Sequence, residues 1–211
     1  MKLHFYGADR CVTGSCHCLE INGKKILVDC GLQQGRDELD NRYLAFAPGN
    51  IDILLVTHAH IDHTGRIPLL VKNGFHGRIL TTRLTADLMK IMLLDSAHIQ
   101  ESDAEYENRK GERAGREHVD PLYTEQDALD VSAVFTDAGH LLGSASITLE
   151  LEENGVHKTI VFSGDIGNVD QPIIRDPQLL KKADYVVMES TYGDRNHTEV
   201  WSYTDELAEI I

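Results

Sequence analysis

The chain has 211 residues, of which 42% are hydrophobic, and its 34 acidic and 20 basic residues give a formal net charge of -14. This length can enclose one sizeable core. Because no apolar run is long enough to span a bilayer, we expect a soluble globular protein rather than a membrane protein. The negative charge argues against a strong nucleic-acid binder unless positive groups, including bound metal, are concentrated at one place.

The first fifty residues predict three strands and a helix. The strands are predicted over 2–7, up to 21 and over 24–29, with Asn22-Gly23 as a two-residue hairpin turn, and the helix over 37–46. No secretory signal precedes the first strand, so we expect reduced thiols and a cytoplasmic location. All four cysteines lie in this region: Cys11, Cys16, Cys18 and Cys30. A zinc site made by the first three is an alternative, but the strand-like alternation of residues 16–21 favours small buried side chains.

Residues 57–65 are the most informative stretch: Thr-His-Ala-His-Ile-Asp-His-Thr-Gly. They follow an apolar run, 51–56, that predicts a strand buried on both faces. Because residues two apart in an extended chain point the same way, His58 and His60 can present two imidazoles to one side. Asp62 and His63 fall where the chain turns into a helix predicted over 64–72. Such a set predicts two adjacent metal positions, suited to zinc or another borderline divalent ion.

Helices and strands alternate through the rest of the chain. Helices are predicted over 84–106, 124–133 and 204–211, the second from a capping-box-like start, and strands over 78–82, 144–152, 158–162 and 185–188. Residues 109–117 contain glycine and charges of both signs, which predicts a mobile loop, with an RNA-contacting loop as the alternative. Strands followed by helices occur twice along the chain, and this order predicts two mixed sheets packed together with helices outside.

Two later fragments carry further polar candidates. His140 lies in a glycine-flanked loop before a strand, and Asp165 follows a strand directly. Each has an ordinary alternative reading, as a loop histidine and a turn aspartate. Beside the histidines of residues 57–65, both positions favour convergence on one metal site.

The ordered set Asp29, His58-x-His60-x-Asp62-His63, His140 and Asp165 resembles the metallo-β-lactamase fold. The resemblance covers essentially the whole chain and implies an αββα sandwich with the site at one edge. It implies that His58, His60 and His140 bind a first metal, that Asp62 and His63 bind a second, and that Asp165 bridges both. It also makes Asp29 a residue that orients ligands, with capping of its own turn as the alternative.

Residues 189–195, Glu-Ser-Thr-Tyr-Gly-Asp-Arg, are similar to the segment that leads into the β-CASP insertion of the RNA-cleaving branch that includes the polyadenylation endonuclease. Residues 13–16 and 29–35 also resemble that branch, and Glu189 matches its acidic first β-CASP motif. The resemblance implies a metallo-β-lactamase domain over 1–190 and the start of the insertion over 191–211. We expect the rest of the β-CASP domain, with its later histidines, to be missing after Ile211. In relatives another strand pair usually precedes the His140 motif, which here follows a predicted helix directly.

The resemblance implies a zinc-dependent phosphodiester hydrolase that acts on RNA through water activated by two metals. Its catalytic residues would be Asp62, Asp165 and Glu189. Two zinc ions are expected in the full protein, with the second site incomplete in this chain. A small-molecule metallohydrolase for an ester, thioester or lactam is one alternative, and a catalytically silent RNA-processing scaffold is the other.

Overall fold

The computed structural model describes residues 1–35, 41–112, 115–131, 133–134, 143–169, 176–178 and 182–194, together with 208 and 210. Its first sheet has six strands, which lie side by side in chain order. They are β1 (Lys2–Gly7), β2 (Cys16–Ile21), β3 (Lys24–Val28), β4 (Ile53–Leu55), β5 (Arg78–Leu80) and β6 (Ala133–Val134). β1, β2 and β3 are antiparallel neighbours, and the remaining pairs are parallel. Among the described residues, the two-residue strand β6, which precedes His140 in the chain, therefore forms one edge of this sheet.

The second sheet contains β7 (Ile147–Glu153), β8 (Val156–Phe162) and β9 (Tyr185–Val187). β7 and β8 are antiparallel, whereas β8 and β9 are parallel. Both sheets are therefore mixed, as predicted. The prediction that residues 185–188 are buried is wrong, because β9 is the outermost strand among the described residues and the side chains of Tyr185 and Val186 are exposed.

The two Asn-Gly hairpins are confirmed. Asn22 and Gly23 connect β2 to β3 with φ angles of 47° and 74°, and Asn154 and Gly155 connect β7 to β8 with 53° and 75°. Positive φ at both central residues is the type I′ geometry, whose twist matches that of the flanking strands.

Four helices follow the predicted positions closely but differ at their ends: α1 (Ile61–Thr64), α2 (Ile67–Lys72), α3 (Arg83–Glu112) and α4 (Glu125–Leu129). The single helix predicted over 64–72 is two helices, and Pro68 lies in the first turn of α2, where its missing N–H costs no hydrogen bond. The capping box at the start of α4 is confirmed, since Thr124 and Asp127 bond each other's backbone N–H. α4 ends earlier than predicted because residues 133–134 join the sheet.

The prediction of a mobile loop over 109–117 is wrong for its first four residues, since α3 continues to Glu112. Gly115 then has a φ of 65° and donates its N–H to the Glu112 carbonyl, while the Arg116 N–H bonds to the Gly111 carbonyl. This pair of bonds is the Schellman pattern, which closes a helix at a glycine. The glycine that predicted a loop therefore ends the helix.

Two other predicted helices overlap residues that the structure does not describe. Residues 37–40 lie outside the described residues, but 41–46 form no helix. There the Asn41 side chain accepts from the Gln33 N–H and donates to its carbonyl, at 2.9 and 3.0 Å. Hydrogen bonds between an Asn side chain and the backbone compete with the backbone hydrogen bonds of a helix. The predicted helix over 204–211 falls almost entirely outside the described residues, as does His140.

Within the described residues, helices and sheets form three successive layers. On one face of the first sheet, Leu27 and Leu54 pack with residues of α2, α3 and α4, including Leu70 and Leu93. On its other face, Leu19, Ile21 and Val28 pack against Ile160 and Phe162 of the second sheet. Because successive side chains of a strand point to opposite faces, the strands of the first sheet contribute to both cores. Full burial of each such side chain contributes about 1.5 to 3 kcal/mol to stability. In the described part of the chain, no helix combines the length and apolar character that crossing a bilayer requires.

Candidate metal centre

The site begins where two neighbouring parallel strands of the first sheet end. Asp29 follows β3 and Thr57 follows β4 shortly after Leu55, and both side chains are buried. The Asp29 carboxylate accepts from the N–H and from the hydroxyl of Thr57, each at 2.8 Å. Asp29 therefore connects the end of β3 to the end of β4. Its φ of 58° lies in the left-handed region, which Asp tolerates better than most residues.

A set of backbone bonds fixes the segment that carries the candidate ligands. The N–H groups of Cys30 and Leu32 bond to the carbonyls of His63 and Ile61, at 2.8 and 2.9 Å. Gly31 lies between them, and a Cβ placed there would stand 1.6 Å from the Asp62 carbonyl oxygen. The turn after β3 is therefore packed backbone to backbone against α1, which only a glycine permits.

Three side chains bring ligand atoms together at this edge. His58, His60 and Asp165 each offer one nitrogen or oxygen, and these atoms all lie within 4.8 Å of one another. His58 Nε2 is 2.9 Å from His60 Nδ1 and 3.5 Å from Asp165 Oδ2. Two histidines two residues apart therefore do point to one side, and the loop after β8 carries Asp165 to them.

His63 faces the other oxygen of the same carboxylate. Its Nε2 is 3.3 Å from Asp165 Oδ1 and 3.8 Å from Asp62 Oδ2. Its Nδ1 is 2.8 Å from Asp29 Oδ2, which accepts only, so Nδ1 carries the proton and Nε2 faces the site. Asp165 thus presents Oδ2 to His58 and His60 and Oδ1 to His63.

Thr57 orients a second ring, and sequence reasoning did not single it out. Its hydroxyl donates to Asp29, which leaves the oxygen free to accept from His58 Nδ1 at 3.1 Å. Nε2 of His58 is then directed at Asp165. A Cβ on Gly164, whose φ is 58°, would lie 2.9 Å from the Thr57 Cβ, so the loop that carries Asp165 packs directly on this threonine. A threonine immediately before the first histidine was the available signal.

The pKa shifts reveal an excess of negative charge. Burial lowers the pKa of His63, but the charges of Asp29 and Asp165 outweigh it and raise that pKa to about 10. Burial raises the pKa of Asp165, but hydrogen bonds from His58, His60 and His63 outweigh it and hold that pKa well below its ordinary value. The raised pKa of His63 and the lowered pKa of Asp165 both mean that the carboxylates of this site stabilise a nearby positive charge.

The donor set fits a divalent metal. Imidazole nitrogens and carboxylate oxygens converge from two distant parts of the chain, residues 58–63 and Asp165, and His58, although polar, is 1% exposed. Buried polar groups crowded in this way are costly without a partner, and nitrogen and oxygen donors suit zinc and similar ions. His58, His60 and Asp165 could hold one ion, and Asp62, His63 and Asp165 a second.

Glu189 lies beside the site rather than among the converging atoms. Its Oε1 accepts from the N–H of Ile166 at 2.7 Å, so it holds the residue that follows Asp165. Glu189, Asp62, His63 and Asp165 also line a cavity of about 840 Å³ that opens beside the site. The cavity gives a substrate access to these side chains.

Comparisons with known proteins agree with this geometry. A family model described as the metallo-beta-lactamase superfamily matches residues 9–210. The chain is 39% identical to a ribonuclease of Thermus thermophilus, over 100% of this chain and 48% of that protein. It is 32% identical to a probable RNase of Methanocaldococcus jannaschii, over 100% and 51%, and 32% identical to cleavage and polyadenylation specificity factor 73 of Drosophila melanogaster, over 90% and 28%.

The chain therefore spans about half the length, or less, of these curated relatives. Two of them are named as RNases and the third as a cleavage and polyadenylation factor, which confirms the resemblance to an RNA-processing branch that the sequence motifs indicated. With two mixed sheets, helices on the outer face of the first, and histidines and aspartates converging at one edge, the chain belongs to the metallo-beta-lactamase superfamily.

Proposed function

We propose that the protein is a zinc-dependent hydrolase that cleaves RNA phosphodiester bonds. The observation that carries the proposal is the division of the Asp165 carboxylate, with Oδ2 toward His58 and His60 and Oδ1 toward His63. One carboxylate between two sets of ligands is the arrangement that a pair of metal ions requires. The names of the relatives support RNA as the substrate.

His58, His60, Asp165 and, by resemblance, His140 would hold the first zinc, and Asp62, His63 and Asp165 the second. Bound zinc supplies a Lewis acid and makes water a nucleophile near neutral pH. Asp165 remains ionised because three histidines bond it, so its oxygens can accept a hydrogen bond from water. Asp29 fixes the ring of His63 with Nε2 toward the site.

Glu189 is the third proposed catalytic residue. Its carboxylate anchors the Ile166 N–H and lines the cavity, where it can keep Asp165 in place while a substrate binds. We also propose that the metallo-β-lactamase domain ends near Ser190, and that residues 191–211 begin a β-CASP insertion. RNA as partner and a cytoplasmic location, which the free thiols of all four cysteines suit, belong to the same proposal.

The test is cleavage of a fluorogenic single-stranded RNA, with a DNA of the same sequence and a thioester and a lactam as competing substrates. The chain is expressed together with its downstream coding sequence, loaded with zinc, and compared with the Asp165→Asn variant and with chelator-treated protein. We expect RNA cleavage that falls by at least about a hundredfold in both controls. Turnover of the thioester or lactam without RNA cleavage would favour the small-molecule hydrolase, and bound zinc without any turnover would favour the silent scaffold.

A further inference from the structure

The charge of the cavity beside the metal centre is unfavourable for an RNA substrate. Six acidic side chains line it: Asp9, Asp29, Asp62, Asp165, Glu189 and Asp194. Among the described residues that line it, Arg10 is the one side chain with a permanent positive charge. Metal ions would neutralise only the acidic groups at the metal centre, so elsewhere in the cavity Arg10 is the side chain of the described lining that can attract a phosphate.

Arg10 lies in a connection with an unusual backbone. Ala8 and Arg10 have φ angles of 49° and 63°, in the left-handed region that residues other than glycine rarely adopt. Backbone strain of this kind persists only where neighbouring structure imposes it, and it clusters at ligand sites. Here the strained connection between β1 and β2 forms one wall of the cavity.

The same connection is tied to the metal centre at its far end. The Ser15 N–H bonds to the Asp62 carbonyl at 2.8 Å, and the Ser15 carbonyl accepts from the Gly31 N–H at 2.9 Å. The Thr13 hydroxyl also exchanges bonds with the Gln34 backbone, at 3.1 and 2.9 Å. Arg10 therefore belongs to a connection whose C-terminal end is hydrogen-bonded to the segment that carries the candidate ligands.

The Arg10 guanidinium itself is available for a ligand. It is exposed, and in the described part of the chain it makes neither a hydrogen bond nor an ion pair, although Asp9 is its neighbour. A guanidinium presents paired N–H donors that match two phosphate oxygens. We propose that Arg10 binds a backbone phosphate of the RNA next to the one that is cleaved, an assignment that rests on the proposed function.

Arg10 then determines substrate binding rather than metal binding. It contacts none of the candidate ligands, so its loss should leave the zinc content unchanged. A charge contact to single-stranded RNA releases counterions, and each phosphate neutralised adds about 0.7 to the slope of the logarithm of the binding constant against that of the salt concentration. This slope distinguishes a phosphate contact from a purely structural role.

The experiment measures binding of a fluorescein-labelled single-stranded RNA with cleavage-resistant linkages to the zinc-loaded chain, expressed with its downstream coding sequence, by anisotropy over a series of salt concentrations. We expect Arg10→Ala to weaken binding about tenfold and to reduce the slope by about 0.7. Arg10→Lys, which keeps the charge, should retain the slope. In the zinc-loaded protein, Arg10→Ala should raise KM about tenfold and change kcat less than about threefold.

Arg78→Ala is the matched control, because it removes the same exposed side chain at the start of β5, whereas the site lies beyond the far ends of β3 and β4. Arg10→Gly is a second variant that removes the side chain and relieves the positive φ, so a folding defect cannot imitate lost binding. If Arg10→Ala and Arg10→Gly bind RNA with the affinity and slope of Arg78→Ala, the assignment is wrong. If the unaltered zinc-loaded chain, expressed with its downstream coding sequence, neither binds nor cleaves RNA, the proposed function itself fails, and this inference fails with it.

Discussion

Asp165 is the residue on which both halves of the candidate centre depend, because its two oxygens face different histidines. Around it, two buried residues control ring orientation. Asp29 fixes His63, and Thr57 fixes His58. A histidine held through one nitrogen presents the other in a defined direction, which lowers the entropy lost when a ligand site assembles.

Replacing His58 by Ala should remove the first zinc, because it deletes one of three donors and leaves Asp165 without one of its partners. Elemental analysis of the purified variant is the measurement, with His157→Ala as the control because that ring is exposed at the start of β8, remote from the site. A His58→Ala protein with its full zinc content would contradict the assignment.

Replacing Asp29 by Asn should destabilise the metal-free fold by about 2 kcal/mol, since charged hydrogen bonds to Thr57 and His63 are lost while Asn tolerates the same positive φ. The pKa of His63 should fall from about 10 toward its ordinary value, as followed by NMR titration. Because that pKa is raised in the folded state, the charged ring stabilises the unaltered protein fully below about pH 6.5. This contribution is lost as the pH rises through 10. Equal pH dependence of urea unfolding in variant and parent would refute this role.

Among the elements, the turn after β3 does more than connect two strands. Its backbone is bonded to α1 at both sides of Gly31, and the buried Arg66 donates from Nε to the Gly31 carbonyl at 2.6 Å. The turn thereby joins the strand ends to the helix that contains Asp62 and His63. A change in this turn should move candidate ligands without touching any of them.

Gly31→Ala tests that coupling. A Cβ 1.6 Å from the Asp62 carbonyl oxygen forces the two segments apart, so we expect a loss of about 3 kcal/mol in unfolding free energy and weaker zinc binding. Chemical denaturation and zinc titration are the measurements. Gly49→Ala is the control, because its added Cβ would have its nearest contact at 3.4 Å, and it should change stability by less than about 1 kcal/mol. Unchanged zinc affinity in Gly31→Ala would show that the turn does not position the ligands.

At the scale of the whole molecule, the candidate ligands come from segments that the sheets bring to one edge. The first metal position has three candidate ligands in the described residues or four with His140, and the second has three: Asp62, His63 and Asp165. A zinc site with fewer than four protein ligands is completed by water and is the weaker one. His197 lies outside the described residues.

Zinc titration of the 211-residue chain by calorimetry should therefore reveal one tight and one weak or absent site. We expect the chain to cleave RNA poorly even with zinc added, and the chain extended by its downstream coding sequence to gain both the second zinc and the activity. Two equally tight sites would show that the second zinc site needs no further segment, and efficient RNA cleavage by the 211-residue chain alone would show the same for the activity.

The sequence by itself determined the features that short stretches encode. Alternation and turn chemistry predicted the hairpins at Asn22-Gly23 and Asn154-Gly155, and the spacing of His58 and His60 predicted two rings on one side. The order of its motifs was sufficient to identify the family. These predictions succeeded because each depends on residues a few positions apart, where backbone geometry alone sets direction.

Only the tertiary structure decided which distant groups meet. It gave Asp29 the partners Thr57 and His63 rather than its own turn, exposed β9, and continued α3 to Glu112 instead of opening a loop at residue 109. It also divided the oxygens of Asp165 between two sets of histidines and brought Arg10 into the lining of the same cavity. The physical reason is that burial, helix closure and charge neutralisation depend on contacts between segments far apart in the chain, which no local pattern of residues specifies.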